Sequence, residues 1–142
     1  MTTAELTRLL QTLAVKRDVL PSSVDNVTLG AMLFDAARTL PVDHDVSERV
    51  ATDALHAWLV GTGSMLRYDA VELRRQLVDW QFIERDGYGR AYHRAASHPA
   101  RFAATCAVAE ALDFEPIVSS ARSRDVKARV ARKAAHLERL TA

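Results

Sequence analysis

Residues 69–94 read DAVELRRQLVDWQFIERDGYGRAYHR, and this stretch decides the fold. Its first part has the features of a helix. Asp69 and Glu72 are spaced as a capping box, in which each side chain accepts a hydrogen bond from the other residue's backbone N–H. The apolar residues that follow at helical spacing predict the buried face of this helix: Leu73, Leu77 and Trp80.

The second part of the stretch has the pattern of a β-hairpin. Two short segments with strand-forming residues, 82–85 and 90–94, flank the turn sequence Asp86-Gly87-Tyr88-Gly89. A hairpin is therefore predicted directly behind the helix.

Another helix is predicted immediately upstream, over about 46–59. Asp45 and Glu48 have capping-box spacing at its start, and Gly61-Thr62-Gly63-Ser64 ends it as a turn. Helix, turn, helix and hairpin across 46–94 is the order of a winged helix, whose second helix commonly enters a DNA major groove.

The N-terminal flank predicts two further helices. Thr2 precedes a glutamate by three residues and starts a helix over 3–14, which has leucines on one face. Asp25 or Asn26 caps the next helix, which is predicted to end near Leu40.

The C-terminal flank predicts two more helices, one from Pro99 to near Asp113 and one over 123–140. The apolar side of the last helix is predicted to pack on the core or on a second subunit: Val126, Val130, Leu137 and Leu140. The predicted fold class is therefore mainly α, a winged helix-turn-helix-like core with one β-hairpin and flanking helices.

The composition indicates one cytoplasmic globular domain over 1–142. A chain of 142 residues has the usual size of a single domain. The single cysteine, Cys106, excludes a disulfide scaffold and a structural zinc finger. No apolar run approaches the ~20 residues of a membrane span, and no leader pattern begins the chain.

The charge is nearly balanced overall but unevenly distributed. Residues 1–98 carry 11 basic and 13 acidic side chains, whereas 120–142 carry 7 basic and 2 acidic ones. The last helix is therefore a candidate surface for nucleic acid or an acidic partner. Its apolar side lacks Trp and Phe, which disfavours membrane binding. The alternative is an ordinary solvated face.

The central stretch resembles the DUF2087 domain family of bacterial proteins. The resemblance rests on VELRRQLVD at 71–79, FIERDG at 82–87 and YHR at 92–94, where the family has a similar LRR-x-LVD segment and a final Tyr-x-Arg. It implies a winged-helix-like core over 30–94 with a regulatory, DNA-associated role. Residues 95–142 then form a C-terminal helical extension.

Basic and aromatic side chains of the second helix and the hairpin are the candidate DNA contacts: Arg74, Arg75, Arg85, Tyr88, Arg90 and Arg94. An arginine presents two parallel donors that match a phosphate or the edge of a guanine. A tyrosine ring can stack against sugar while the charges neutralise phosphates.

Each candidate also has a structural interpretation. Either Arg74 or Arg75 can pair with Glu72, Asp79 or Asp69 and fasten the helix to the hairpin. The hairpin can equally be a solvated edge whose own carboxylates cancel two of its positive charges.

The sequence offers little for catalysis or metal binding. It has no phosphate-binding loop and no nucleophile elbow, and Cys106 lies in an apolar segment. A metal site would have to assemble Asp43, His44, Asp45 and Cys106 from distant segments. No enzyme activity, metal or cofactor is therefore predicted, and a small enzyme or ligand-binding protein is the least favoured reading.

Two readings of function stay open. The first is a DNA-associated transcriptional regulator that binds double-stranded DNA and forms a homodimer. The second is a protein-protein interaction module that has the same fold but no affinity for DNA.

Overall fold

A computed structural model describes all residues, Met1–Ala142. Short 3-10 turns at Pro21–Ser23 and Ala100–Phe102 interrupt the loops. The helices and strands in chain order are α1 Thr3–Ala14, α2 Asn26–Ala37, β1 Val46–Ser47, α3 Glu48–Val60, α4 Ala70–Asp79, β2 Ile83–Arg85, β3 Ala91–Arg94, α5 Ala103–Ala109 and α6 Phe114–Thr141.

The first two helices begin where the sequence predicts. The Thr2 hydroxyl accepts the backbone N–H of Glu5 at 3.1 Å, which caps α1. Asp25 caps α2 because its carboxylate accepts the backbone N–H of Thr28 at 2.9 Å. α2 ends at Ala37, and the chain then makes tight turns before the predicted end at residue 40.

The capping box of α4 is confirmed, but the one predicted for α3 is wrong. Asp69 accepts the backbone N–H of Glu72 at 2.8 Å, and the Glu72 carboxylate accepts that of Asp69 at 3.1 Å. α3 is capped instead by Ser47, whose hydroxyl accepts the backbone N–H of Val50 at 3.2 Å. The chain before α3 is extended as β1, so Asp45 lies too early to cap it.

The hairpin is confirmed, and a third strand joins it. The sheet order is β1-β3-β2, with both pairs antiparallel. Val46 pairs with Tyr92 and Ile83 pairs with Arg94. The order α2, β1, α3, α4, β2, β3, with β1 against the hairpin, is that of a winged helix and confirms the predicted fold class.

One cluster of buried apolar side chains draws on α1 through α6 and on the sheet. Leu73 and Leu77 are fully buried as predicted, whereas Trp80 is only partly buried and stacks on Phe102 with ring centroids 5.4 Å apart. No helix combines the length and the apolar character needed to cross a membrane.

The last helix differs most from its prediction. α6 begins at Phe114 rather than at 123, with Pro116 in its first turn, where a proline costs no hydrogen bond. It runs for 28 residues, about 42 Å. Its first two turns pack beside α1 and bury Phe114, Val118 and Ala121.

The predicted packing of the second apolar stripe on the chain's own core is wrong. These side chains are exposed: Val126, Val130, Leu137 and Leu140. At 3.6 residues per turn they lie about a third of a turn away from the buried side of α6. Residues 123–141, which we call the arm, therefore contribute no fully buried side chain and leave that stripe uncovered.

Candidate nucleic-acid interface

A groove of about 390 Å³ lies between α4 and the hairpin. It brings together four of the six predicted DNA contacts, Arg74, Arg75, Arg85 and Tyr88, because β2 returns beside α4. The residues that line it are Glu48, Arg74, Arg75, Val78, Asp79, Arg85, Tyr88, Gly89 and Tyr92. We call it the wing groove.

Arg74 forms the floor of the wing groove and is only 8% exposed. Its guanidinium donates to the Thr52 hydroxyl at 2.6 Å and lies 3.2 Å from the Glu48 carboxylate. It also sits 5.4 Å from the centre of the Tyr92 ring. A structural role for one arginine of the pair was expected, but its partners belong to α3 and β3 and not to its own helix.

Arg75 points outward from α4 and has no carboxylate partner within 4.0 Å. The residues exposed beside it on the same helix are Glu72 and Asp79. The outward face of α4 therefore carries two negative charges for one positive charge. That balance disfavours deep insertion of α4 among phosphates.

The hairpin turn directs its own carboxylate inward. Asp86 accepts the backbone N–H of Arg90 at 2.8 Å, and this bond, followed by those from other turn N–H groups, lowers the pKa of Asp86. Gly89 adopts φ +68°, the left-handed conformation that favours glycine in such turns. The Asp86 carboxylate, which could have offset one of the positive charges of the hairpin, therefore accepts hydrogen bonds from the turn backbone.

The side chains that project from the hairpin are basic or aromatic. Tyr88 is 85% exposed, and the Arg90 guanidinium lies 5.8 Å from the centre of its ring. Arg85 is exposed on β2 and lines the wing groove. Neither Arg85 nor Arg90 has a carboxylate partner within 4.0 Å.

Arg94 is not part of this group. It ends β3, about 13 Å along the strand from Arg90. It lines a separate cavity between α2 and the segment after β3, which shares no residue with the wing groove.

His93, the central residue of the YHR motif, lies between two carboxylates. Its ring nitrogens lie 2.9 Å from the Asp45 carboxylate and 2.9 Å from the Glu84 carboxylate. The hairpin register pairs His93 with Glu84, which is the signal that could have predicted one of these contacts. The histidine of β3 is thus bridged to β2 and to the residue that immediately precedes β1.

Cys106 is fully buried in α5. Burial, with a smaller contribution from the negative charge of Glu110, raises the pKa of its thiol to about 11. At neutral pH the group stays a thiol, and thiols are poor nucleophiles and metal ligands. No group of three or more His, Cys, Asp and Glu side chains is placed to hold a metal ion.

Comparison with known proteins identifies one family. The family model described as "Uncharacterized protein conserved in bacteria (DUF2087)" matches residues 22–94. The match begins eight residues before the start expected from the sequence and therefore takes in all of α2. No curated protein and no solved structure matches the chain.

Proposed function

The chain belongs to the DUF2087 family, and we propose that it is a non-enzymatic, DNA-associated transcriptional regulator of the bacterial cytoplasm. Its winged helix contacts the backbone of duplex DNA through the hairpin and the outer edge of the wing groove. The residues that make these contacts are Arg75, Arg85, Tyr88 and Arg90.

One observation supports this proposal above the others: of the arginines around the wing groove, only Arg74 has a carboxylate partner. Arg74 is paired inside the fold, whereas Arg75, Arg85 and Arg90 have no carboxylate within 4.0 Å. A free guanidinium keeps its donors for a phosphate. Tyr88 extends beside them and can lie against sugar.

The charge of α4 supports a contact made mainly by the hairpin. Glu72 and Asp79 on its outward face would repel phosphates, so we place the main contact on the hairpin and only Arg75 from the helix. Arg74 then acts as a positioning residue that fastens α4 to α3 and β3. With this arrangement the protein recognises the DNA backbone and the shape of the groove more than the base sequence.

The proposal is tested by titrating a labelled duplex with the full chain at several salt concentrations and following fluorescence anisotropy. The double variant Arg85→Ala, Arg90→Ala removes two phosphate contacts and is expected to flatten the log-log salt slope by about 1.8. A matched control, Arg8→Ala, Arg17→Ala, removes the same charge from exposed positions outside the wing groove and is expected to keep the slope.

Two results would contradict DNA binding by the hairpin. Failure of the wild-type protein to bind the duplex at low salt would disprove the proposal that the chain binds DNA. Equal salt slopes for the wild type and for Arg85→Ala, Arg90→Ala would show that the hairpin does not contact the phosphates, and the basic arm would become the candidate contact.

A protein-protein interaction module is the second candidate. It is favoured by acidic side chains near Arg75, because Glu48 and Asp79 line the same groove and Glu72 is exposed on the same helix. Mixed charge beside exposed Tyr88 suits the rim of a protein interface. If no duplex binds at low salt, this reading takes the place of the first.

We further propose that the arm pairs with a second copy of the chain. The exposed stripe on residues 126–140 follows helical spacing, and pairing would remove its apolar surface from water. Val130→Glu with Leu137→Glu is expected to convert a dimer to a monomer in light scattering. Ala131→Glu with Ala135→Glu adds the same charge on the opposite side of the helix and is expected to leave the dimer intact.

A wild-type chain that stays monomeric at high concentration would disprove this pairing. Because the arm contributes no buried side chain, the stripe variant is expected to unfold within about 0.5 kcal/mol of wild type.

A further inference from the structure

A second cavity, of about 310 Å³, shares no lining residue with the wing groove. It lies between the end of α2, the segment 95–99 that follows β3, and the end of α5. Its volume is at the lower end of the range for small-molecule sites. We call it the α2 cavity.

Arg94 is the free cation of the α2 cavity. Side chains alternate along a strand, so Arg94 shares the inward face of β3 with buried Tyr92 and is itself partly buried. Its guanidinium makes no hydrogen bond or ion pair within the chain. No buried side-chain nitrogen in the structure lacks a hydrogen-bond partner, so the Arg94 nitrogens contact solvent, and all five donors stay available to a ligand.

The other arginine of the cavity shows the contrast. The Arg38 guanidinium donates to the Asp35 carboxylate at 2.5 Å and to the Leu112 carbonyl at 3.1 Å. Its centre also lies 5.0 Å from that of the Phe34 ring. Arg38 therefore fastens α2 to the end of α5. The donors of Arg94 remain available to a ligand.

The walls of the α2 cavity are apolar. Phe34, Phe82 and Pro99 line it and are all buried. Phe82 stacks on Phe102 at 5.6 Å between ring centroids, which extends the aromatic wall into the core. A flat apolar body is the shape that such walls accept.

The remaining charges limit the ligand to a small anion of low charge. Glu110 lies at the rim, where His98 Nε2 is 2.8 Å from its carboxylate. The Glu110 carboxylate repels a multiply charged phosphate more strongly than it repels a singly charged carboxylate, and Arg94 lines the same cavity. The planar fork of an arginine fits a carboxylate by two parallel hydrogen bonds.

We propose that the α2 cavity binds a small aromatic monocarboxylate. The carboxylate pairs with Arg94, and the ring lies against Phe34 and Phe82. This site is independent of DNA binding, since it shares no residue with the wing groove.

The proposal is tested on the full chain without DNA, by calorimetric titration with phenylacetate. Phenylacetate is expected to bind the wild type, and Arg94→Gln is expected to weaken it at least tenfold through loss of a charged hydrogen-bond donor. The neutral analogue phenylacetamide is expected to bind the wild type at least tenfold more weakly than the acid. Arg85→Gln, a matched loss of charge on the hairpin, is expected to keep wild-type affinity.

A second readout protects the test against a misfolded variant. The side-chain Nε signal of Arg94 in the wild-type NMR spectrum is expected to shift on addition of phenylacetate while that of Arg85 stays still. The proposal is overturned if phenylacetate fails to bind, if the amide binds as tightly as the acid, or if folded Arg94→Gln keeps wild-type affinity.

Discussion

Replacing Leu77 with alanine is expected to lower the free energy of unfolding by about 2–5 kcal/mol. Leu77 is fully buried on the side of α4 that packs against α3, within the single apolar cluster. Alanine removes most of the side chain and leaves a cavity, since the helices on either side are fixed by their own packing. Urea denaturation followed by circular dichroism measures the loss.

Val71→Ala is the matched control, because Val71 lies on the same helix but is exposed. Its effect is expected to stay within about 0.5 kcal/mol. A loss below about 1 kcal/mol for Leu77→Ala would mean that the wrong face of α4 has been assigned to the core.

The starts of the helices were predictable where the deciding hydrogen bonds are local. Thr2, Asp25 and Asp69 each accept a backbone N–H from three residues further along the chain. A short window of sequence contains both partners of such a bond, so the pattern is visible without the fold.

The start of α3 shows where local patterns fail. Asp45 and Ser47 are both good capping residues, and the sequence alone favours Asp45 because Glu48 follows it by three. The choice is made by β1, whose Val46 pairs with Tyr92, far along the chain. Asp45 is thereby freed to reach His93 at 2.9 Å.

The candidate site was predictable as a set of residues but not as an arrangement. Successive helical residues differ by about 100° in direction, so Arg74 and Arg75 cannot do the same work. Only the fold shows that α3 supplies Glu48 and Thr52 to Arg74. Likewise, the YHR motif does not reveal that Arg94 lines the α2 cavity and not the wing groove.

The arm illustrates a second limit. α6 has two apolar stripes, one buried beside α1 and the other exposed beyond it. Periodicity gives each stripe the same weight, because it reports spacing and not what lies opposite. Only the first turns of α6 lie against the core, and this decides which stripe is buried.

Gly63→Ala is expected to destabilise the fold by about 3 kcal/mol, at the upper end for overpacking. Gly63 lies in the turn between α3 and α4, and its φ is not in the positive range, so its backbone suits alanine. An added Cβ would nevertheless lie 2.5 Å from Cε3 of Trp58 and closer still to Cζ3. Thermal and urea unfolding measure the loss.

The ring of Trp58 has little freedom to move away from such a methyl group. It is almost fully buried, and its Nε1–H donates to the Asp35 carboxylate at 2.9 Å. The turn cannot yield easily either, because the Gly63 N–H donates to the Trp58 carbonyl at 2.9 Å. Relief of the contact must therefore break one of two hydrogen bonds that hold α2, α3 and the turn together.

A control and a double-mutant cycle identify the cause. Gly87→Ala meets no atom within 4 Å and is expected to leave stability unchanged or raise it by up to about 1 kcal/mol. In a Trp58→Leu background the cost of Gly63→Ala is expected to fall by about 2 kcal/mol, because the ring that the methyl group meets is gone. An unchanged cost in that background would show that the turn itself, and not the indole ring, requires glycine between the two helices of the winged helix.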